Sequence, residues 1–101
     1  MNDVEIYVQR VHGLTREQVL RQLAEESSEL TQAALKLIRA MEDTTPVSYR
    51  DAIENLAEEL GDVQNCVLVL EKHFVGLSVL SEAIGEKKMK RWYERLEGGC
   101  G

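Results

Sequence analysis

Residues 16–74, REQVLRQLAEESSELTQAALKLIRAMEDTTPVSYRDAIENLAEELGDVQNCVLVLEKHF, decide the fold. Apolar residues recur here at helical spacing, first at Leu20, Leu23, Leu30, Ala34 and Leu37, then at Ile53, Leu56, Leu60, Val63, Val67 and Leu70. Between the two runs, Asp43-Thr44-Thr45-Pro46-Val47 gathers turn-forming residues and a proline that cannot continue a helix. The reading is two long helices joined by a short turn, an antiparallel hairpin. Thr15, with Gln18 three residues on, is a capping box for the first, which runs from about Arg16 to Met41. Ser48 caps the second, which runs to about Phe74.

Outward from the hairpin the pattern stays helical, and no sustained two-residue alternation marks a strand. A short leading helix, about Asn2 to Val11, ends at His12-Gly13, where glycine suits a left-handed closing residue. Gly76 marks the next turn and Ser78 a further cap, and a last helix reaches about Leu96. The fold class is all-α: one domain over residues 1–97, followed by a flexible Gly-rich tail at 98–101 containing Cys100. Helices this long span roughly 40 Å, more than a compact 100-residue globule accommodates. Cys66 and Val69 fall off the main stripe and are expected to stay uncovered by the hairpin alone. Homo-oligomerisation into a four-helix-type bundle, as a dimer or dimer of dimers, answers both difficulties.

The chain has 101 residues, with Lys+Arg 12 against Asp+Glu 18 and a net charge of −6. That balance argues against nucleic-acid or anionic-membrane partners, whose affinity rests on basic surfaces. The longest apolar run, Cys66 to Leu70, is five residues, far below the roughly 20 that cross a bilayer. The acidic start MNDVEIYVQR does not read as a secretory signal, and the two cysteines form no short-spaced ligand pair, so the cytoplasm is the expected compartment.

Two acidic clusters interrupt the amphipathic pattern, Glu25-Glu26-Ser27-Ser28-Glu29 and Glu58-Glu59-Leu60-Gly61-Asp62. At about 100° per residue, Glu26 lies roughly 50° and Glu59 roughly 70° from the centre of its helix's apolar stripe. Glu29 and Asp62 follow three residues later, so each helix carries a carboxylate pair beside the seam, while Glu25 and Glu58 point outward. Converging carboxylates that lose hydration repel one another unless protons or cations neutralise them. Between Asp51 and Glu71 there are six acids and no Lys or Arg, so the neutralising charge comes from elsewhere. Oxygen-only ligation suits Mg²⁺, which is often shared with substrate phosphates. Lys87, Lys88, Lys90, Arg91 and Arg95 form a basic stretch that could supplement it. Taken singly, each acidic cluster is more often a solvated helix face.

The paired spacing, Glu25-Glu26-x-x-Glu29 followed by Glu59-x-x-Asp62 within AEELGDVQN and a late EKKMKRWYERL, resembles the MazG-like all-α nucleoside triphosphate pyrophosphohydrolases over roughly Leu14 to Arg95. The resemblance implies that Glu26, Glu29, Glu59 and Asp62 hold Mg²⁺, with Mn²⁺ able to substitute, and that Lys88 and Arg95 are the downstream phosphate-binding residues. It further implies hydrolysis of a nucleoside triphosphate between the α and β phosphates. Bound divalent ions suit this by lowering the pKa of water and offsetting charge on the pyrophosphate leaving group. Glu25 and Glu29 are both candidates to accept the proton of the attacking water. Asn65, which can donate and accept, lies one turn beyond Asp62 and is a candidate substrate contact. A neighbouring branch, phosphoribosyl-ATP pyrophosphohydrolase, shares both acidic motifs, and a non-catalytic helical interaction module is the alternative from another class. The absence of a tandem second domain resembles the short members of the family.

Other chemistry-bearing residues read more plainly. His12 and His73 sit at helix ends, where they offset the negative pole, and are not expected to bind metal. Ser27 and Ser28 lack a histidine partner for nucleophilic catalysis. Trp92 and Tyr93 are expected to pack at a helical seam, Cys66 is a small apolar residue, and Gly61 leaves space for close approach of another helix or ligand.

Overall fold

The computed structural model describes residues 1–98 as four helices, α1 (Asp3–His12), α2 (Arg16–Met41), α3 (Tyr49–His73) and α4 (Leu77–Gly98), with no strand among the described residues. Each start has a local cause. Asn2 and Glu5 form a reciprocal capping box on α1, Thr15 and Gln18 form one on α2, and the Ser48 hydroxyl accepts from the Asp51 N–H on α3. The expected boundaries of α2 and α3 hold closely. No described helix is long and apolar enough to cross a membrane.

Capping chemistry departs from expectation at three places. Gly13 has φ −81°, an ordinary right-handed conformation. Its lack of a side chain instead leaves room, since a Cβ would approach the Arg10 carbonyl oxygen at 3.3 Å. The left-handed residues are Asp43 (φ 56°) after α2 and Gly76 (φ 89°) before α4. Ser78 does not cap α4. Glu71 does, its two carboxylate oxygens accepting from the backbone N–H of Gly76 at 2.8 Å and of Ser78 at 2.9 Å. Those donors at Ser78 and Gly76 hold the Glu71 carboxyl below the usual carboxylate range. Finally, α4 runs on through Gly98, so only residues 99–101 of the expected tail, Cys100 included, lie outside the described residues.

The hairpin seam is a heptad. In α2, Val19, Leu23, Glu26, Leu30, Ala33, Leu37 and Ala40 are buried or half-buried, and every other residue of that helix is exposed. In α3 the matching row is Ala52, Leu56, Glu59, Val63, Cys66 and Leu70. Alternating steps of four and three keep such a row on one side of a helix that packs nearly parallel to its neighbour's axis. Val19 near the start of α2 packs with Val69 and Leu70 near the end of α3, which makes the pair antiparallel.

This seam keeps Leu23, Leu30, Leu37, Leu56, Val63 and Leu70 of the stripe expected from sequence and departs from it at the other positions. Leu20, Ala34, Ile53, Leu60 and Val67 are exposed, whereas Cys66 and Val69 are buried. The hairpin carries two apolar rows about one residue apart, and only one can face the partner helix. The inner row mixes leucines and valines with small residues, Ala33, Ala40, Ala52 and Cys66, which let the helices approach closely. Other large apolar residues remain outside: Leu35 is 49% exposed, Ile38 50% and Met41 65%.

Flanking helices do not cover that outer row. α1 and α4 each touch only α3, and neither contains a buried residue. Trp92 and Tyr93 are exposed on α4 rather than packed at a seam. A Cβ at Gly61 would meet nothing within 4 Å, so within one chain the expected close approach is absent. The radius of gyration is 17.5 Å, against about 13 Å for a compact chain of this length.

Candidate metal centre

Glu26 and Glu59 occupy heptad positions where packing calls for an apolar residue. The antiparallel register sets Glu26 and Glu29 of α2 across the seam from Glu59 and Asp62 of α3. One carboxylate oxygen from each of Glu26, Glu29 and Glu59 lies within 4.8 Å of the other two. No histidine or cysteine belongs to this group. Octahedral Mg²⁺ holds its ligands at about 2.0–2.1 Å, so oxygens on opposite sides of one ion stand roughly 4 Å apart. Oxygens on adjacent corners stand nearer, roughly 3 Å apart, so the three carboxylates would have to draw inward to share one ion.

Electrostatics agree with an unneutralised cluster. Burial pushes the Glu26 carboxyl up, with the charge of Glu29 and then of Asp62 adding to it. The neighbouring charge of Glu59, followed by burial, pushes Glu29 up. No salt bridge among the described residues involves Glu26, Glu29, Glu59 or Asp62. The Oε2 atoms of Glu26 and Glu59 are sealed from solvent and have no hydrogen-bond partner. Carboxylate oxygens buried without donors are costly. A divalent cation between them would remove that cost, so the donor set fits a hard cation.

The remaining sequence candidates occupy different places. Asp62 is exposed and outside the three-residue group, but its charge reaches Glu26 and it lines a cavity beside that residue. Asn65 lines the same cavity. Glu25 is exposed on the outer side of α2, where its charge still raises Glu29. Lys88 and Arg95 lie on α4, which packs against α3 and not α2, so the chain does not itself bring them to the acids. The turn at Gly76 and its Glu71 anchor carry α4 away from the seam. Lys88 instead lines a hollow on α4 with Lys87 and Arg91.

Sequence reasoning missed Gln22. Its amide nitrogen donates to Glu26 Oε1 at 2.7 Å, fixing that carboxylate while its other oxygen remains free. The i, i+4 spacing from Gln22 to Glu26 carried this contact. His12 and His73 stand in the last turns of α1 and α3, as expected of residues opposing a helix dipole. The buried Nε2 of His73 lacks a partner.

A pH experiment reads the cluster directly. The raised carboxyls of Glu26 and Glu29 are more easily protonated folded than unfolded. Their stabilising contribution is therefore full below the unfolded value of about 4.5 and is lost as pH rises through the higher folded values. Metal-free Glu29→Gln should melt above wild type at pH 7, with the advantage vanishing below about pH 4.5. A constant difference across that range would show that Glu29 feels no repulsion in the folded chain.

Family models, curated proteins and solved structures yield no match to this chain.

Proposed function

We propose that the chain is a divalent-cation-dependent phosphohydrolase. In particular, we read it as a nucleoside triphosphate pyrophosphohydrolase of the MazG-like kind, working as a homo-oligomer, a dimer or a dimer of dimers. The observation that carries this reading is the inward placement of Glu26 and Glu59 at core positions of a hairpin, each with an orphaned buried oxygen, with Glu29 beside them. A merely solvated acidic face would leave those oxygens in water.

Glu26, Glu29 and Glu59 would hold Mg²⁺, and Asp62 at the edge of the seam would complete the set. The cation would supply charge for the triphosphate and for the pyrophosphate leaving group. Water attacks the α-phosphorus in line, the bond from that phosphorus to the α–β bridging oxygen breaks, and the monophosphate and pyrophosphate leave. Glu25 or Glu29 takes the proton of the attacking water. Gln22 holds the Glu26 carboxylate in orientation through its 2.7 Å hydrogen bond. Lys88 and Arg95 would bind phosphate from a neighbouring copy, because α4 does not reach α2 in its own chain.

Incubation of the protein with Mg²⁺ and a panel of ribo- and deoxynucleoside triphosphates tests this. Monophosphate plus pyrophosphate is the expected product pair, and the reaction should stop when the metal is chelated. Diphosphate plus phosphate would place the cut at the wrong bond. No turnover of any triphosphate would favour a helical interaction module.

A further inference from the structure

Beside the acidic group, α1 stands off from α3 across an apolar gap. Tyr7, Val8 and Val11 recur three and four residues apart, so they share one face of α1. All three line a cavity of about 520 Å³ whose other wall includes Leu68 and Val69 of α3, with Asn65, His12 and Lys72 as its polar members. It shares Val11, Asn65 and Val69 with a second cavity of about 260 Å³, which Glu26 and Asp62 also line. One groove therefore runs along α3 from the acidic group to the inner face of α1. Together the two volumes fall within the roughly 300–1,000 Å³ of pockets that hold small molecules.

The walls of this groove are unsatisfied. Val8 and Val11 are nearly half exposed, and Tyr7 and Leu68 more so, so two apolar faces confront each other across open space. Water held between apolar surfaces is unfavourable, and the gap is relieved when a flat body fills it and the walls close on that body. The freedom to close lies in α1, which touches only α3 and contains no buried residue. Such an element belongs to the low-stability end of a fold, where opening and closing cost little. Along α3, the rise from Asp62 to Leu68 is about 9 Å, within the reach of a nucleoside whose phosphates sit at the acids.

Resting on the pyrophosphohydrolase reading above, we infer that this groove holds the nucleoside of the substrate and that α1 closes over it, with Tyr7, Val8 and Val11 on one side of the ring and Leu68 and Val69 on the other. Recognition is by apolar contact, so it demands a nucleoside without reading which base is attached. Phosphates alone supply no such contact. Inorganic tripolyphosphate would meet the cation at the acids and leave α1 open. Val8 and Leu68 lie away from the reacting phosphorus and contribute equally to substrate and transition state, and contacts of that kind act on KM rather than on kcat.

Amide hydrogen exchange tests the closure. With Mg²⁺ and α,β-methylene-ATP, whose α–β link water does not cleave, exchange of the α1 amides should slow by at least about tenfold, whereas Mg²⁺ with inorganic tripolyphosphate should leave α1 unchanged. Unchanged exchange with the nucleotide, or equal slowing by both, overturns the inference and leaves the phosphate chemistry standing. Val8→Asp sets a charge in the groove and should raise KM for ATP about tenfold with kcat within about twofold of wild type, while Mg²⁺ still raises Tm. Should that variant lose α1, Leu68→Asp on the exposed side of α3 should have the same effect. An unaltered KM in whichever variant folds would place the nucleoside elsewhere. If wild type turns over no triphosphate, the pyrophosphohydrolase reading fails and the exchange experiment judges the groove alone: slowing specific to the nucleotide upholds it, and its absence ends it.

Discussion

Glu59→Gln should lower Mg²⁺-dependent pyrophosphohydrolysis by about a thousandfold while leaving the helical content of the chain intact. Glutamine keeps the shape of the side chain and its place in the α3 seam, but removes a charge from the proposed cation site. Thermal melting supplies the second half of the test. In wild type, Mg²⁺ should raise Tm, because an ion bound only by the folded chain stabilises it by mass action. In the variant that increment should largely disappear. Without metal the variant should melt no lower than wild type, because its neutral side chain no longer repels Glu29, whose carboxyl the Glu59 charge pushes upward. Wild-type activity in Glu59→Gln would sink the metal centre. A collapse of Tm without metal would mean that the Glu59 charge stabilises the metal-free fold, against the repulsion with Glu29.

The other large effect concerns the outer row of the hairpin. Ile38→Glu together with Leu60→Glu should dissociate the assembly and abolish cooperative unfolding at micromolar concentration. The buried hydrophobic core of one chain consists of Val19, Ala33, Ala40, Ala52, Cys66, Val69 and Leu70, so it contains few large side chains. Ile38 and Leu60 are 50% and 41% exposed in a single chain. Fully burying an aliphatic side chain of this kind stabilises by roughly 1.5–3 kcal/mol, and a small domain has only about 5–15 kcal/mol in total. Glutamates at both positions in every copy would therefore remove a large share of the assembly's stability. Sedimentation should show wild type as an oligomer, with Tm rising as concentration rises. A monomeric wild type with a concentration-independent Tm would refute the bundle.

Much of this architecture was legible because its signals are local. Thr15 with Gln18, and Ser48 before the α3 periodicity, set helix starts through contacts three residues away, and both lie where expected. The start of α4 was not, since its cap is Glu71, reaching from the preceding helix across the Gly76 turn. The phase of the seam was legible in part: Leu23, Leu30, Leu37, Leu56, Val63 and Leu70 face the partner helix as expected, whereas Leu20, Ala34, Ile53, Leu60 and Val67 do not. With two apolar rows side by side on each helix, hydropathy alone does not choose between them, and close approach of the helices favours the row that sets Ala33, Ala40, Ala52 and Cys66 among its leucines.

The acidic site divides in the same way. Spacing along each helix placed Glu26 with Glu29 and Glu59 with Asp62, since residues three apart share a helix face whatever the rest of the chain does. Which carboxylates meet depends on how far one helix slides along the other. That register, fixed by Val19 against Val69 and Leu70, brings three together and leaves Asp62 at the rim. By itself the sequence determined the helices, their caps and the two acidic pairs, all products of short-range geometry. Only the tertiary structure decided which apolar row closes the hairpin, that two carboxylates enter its core, that Gln22 braces one of them, and that α4 points away, because each follows from contacts between segments distant along the chain.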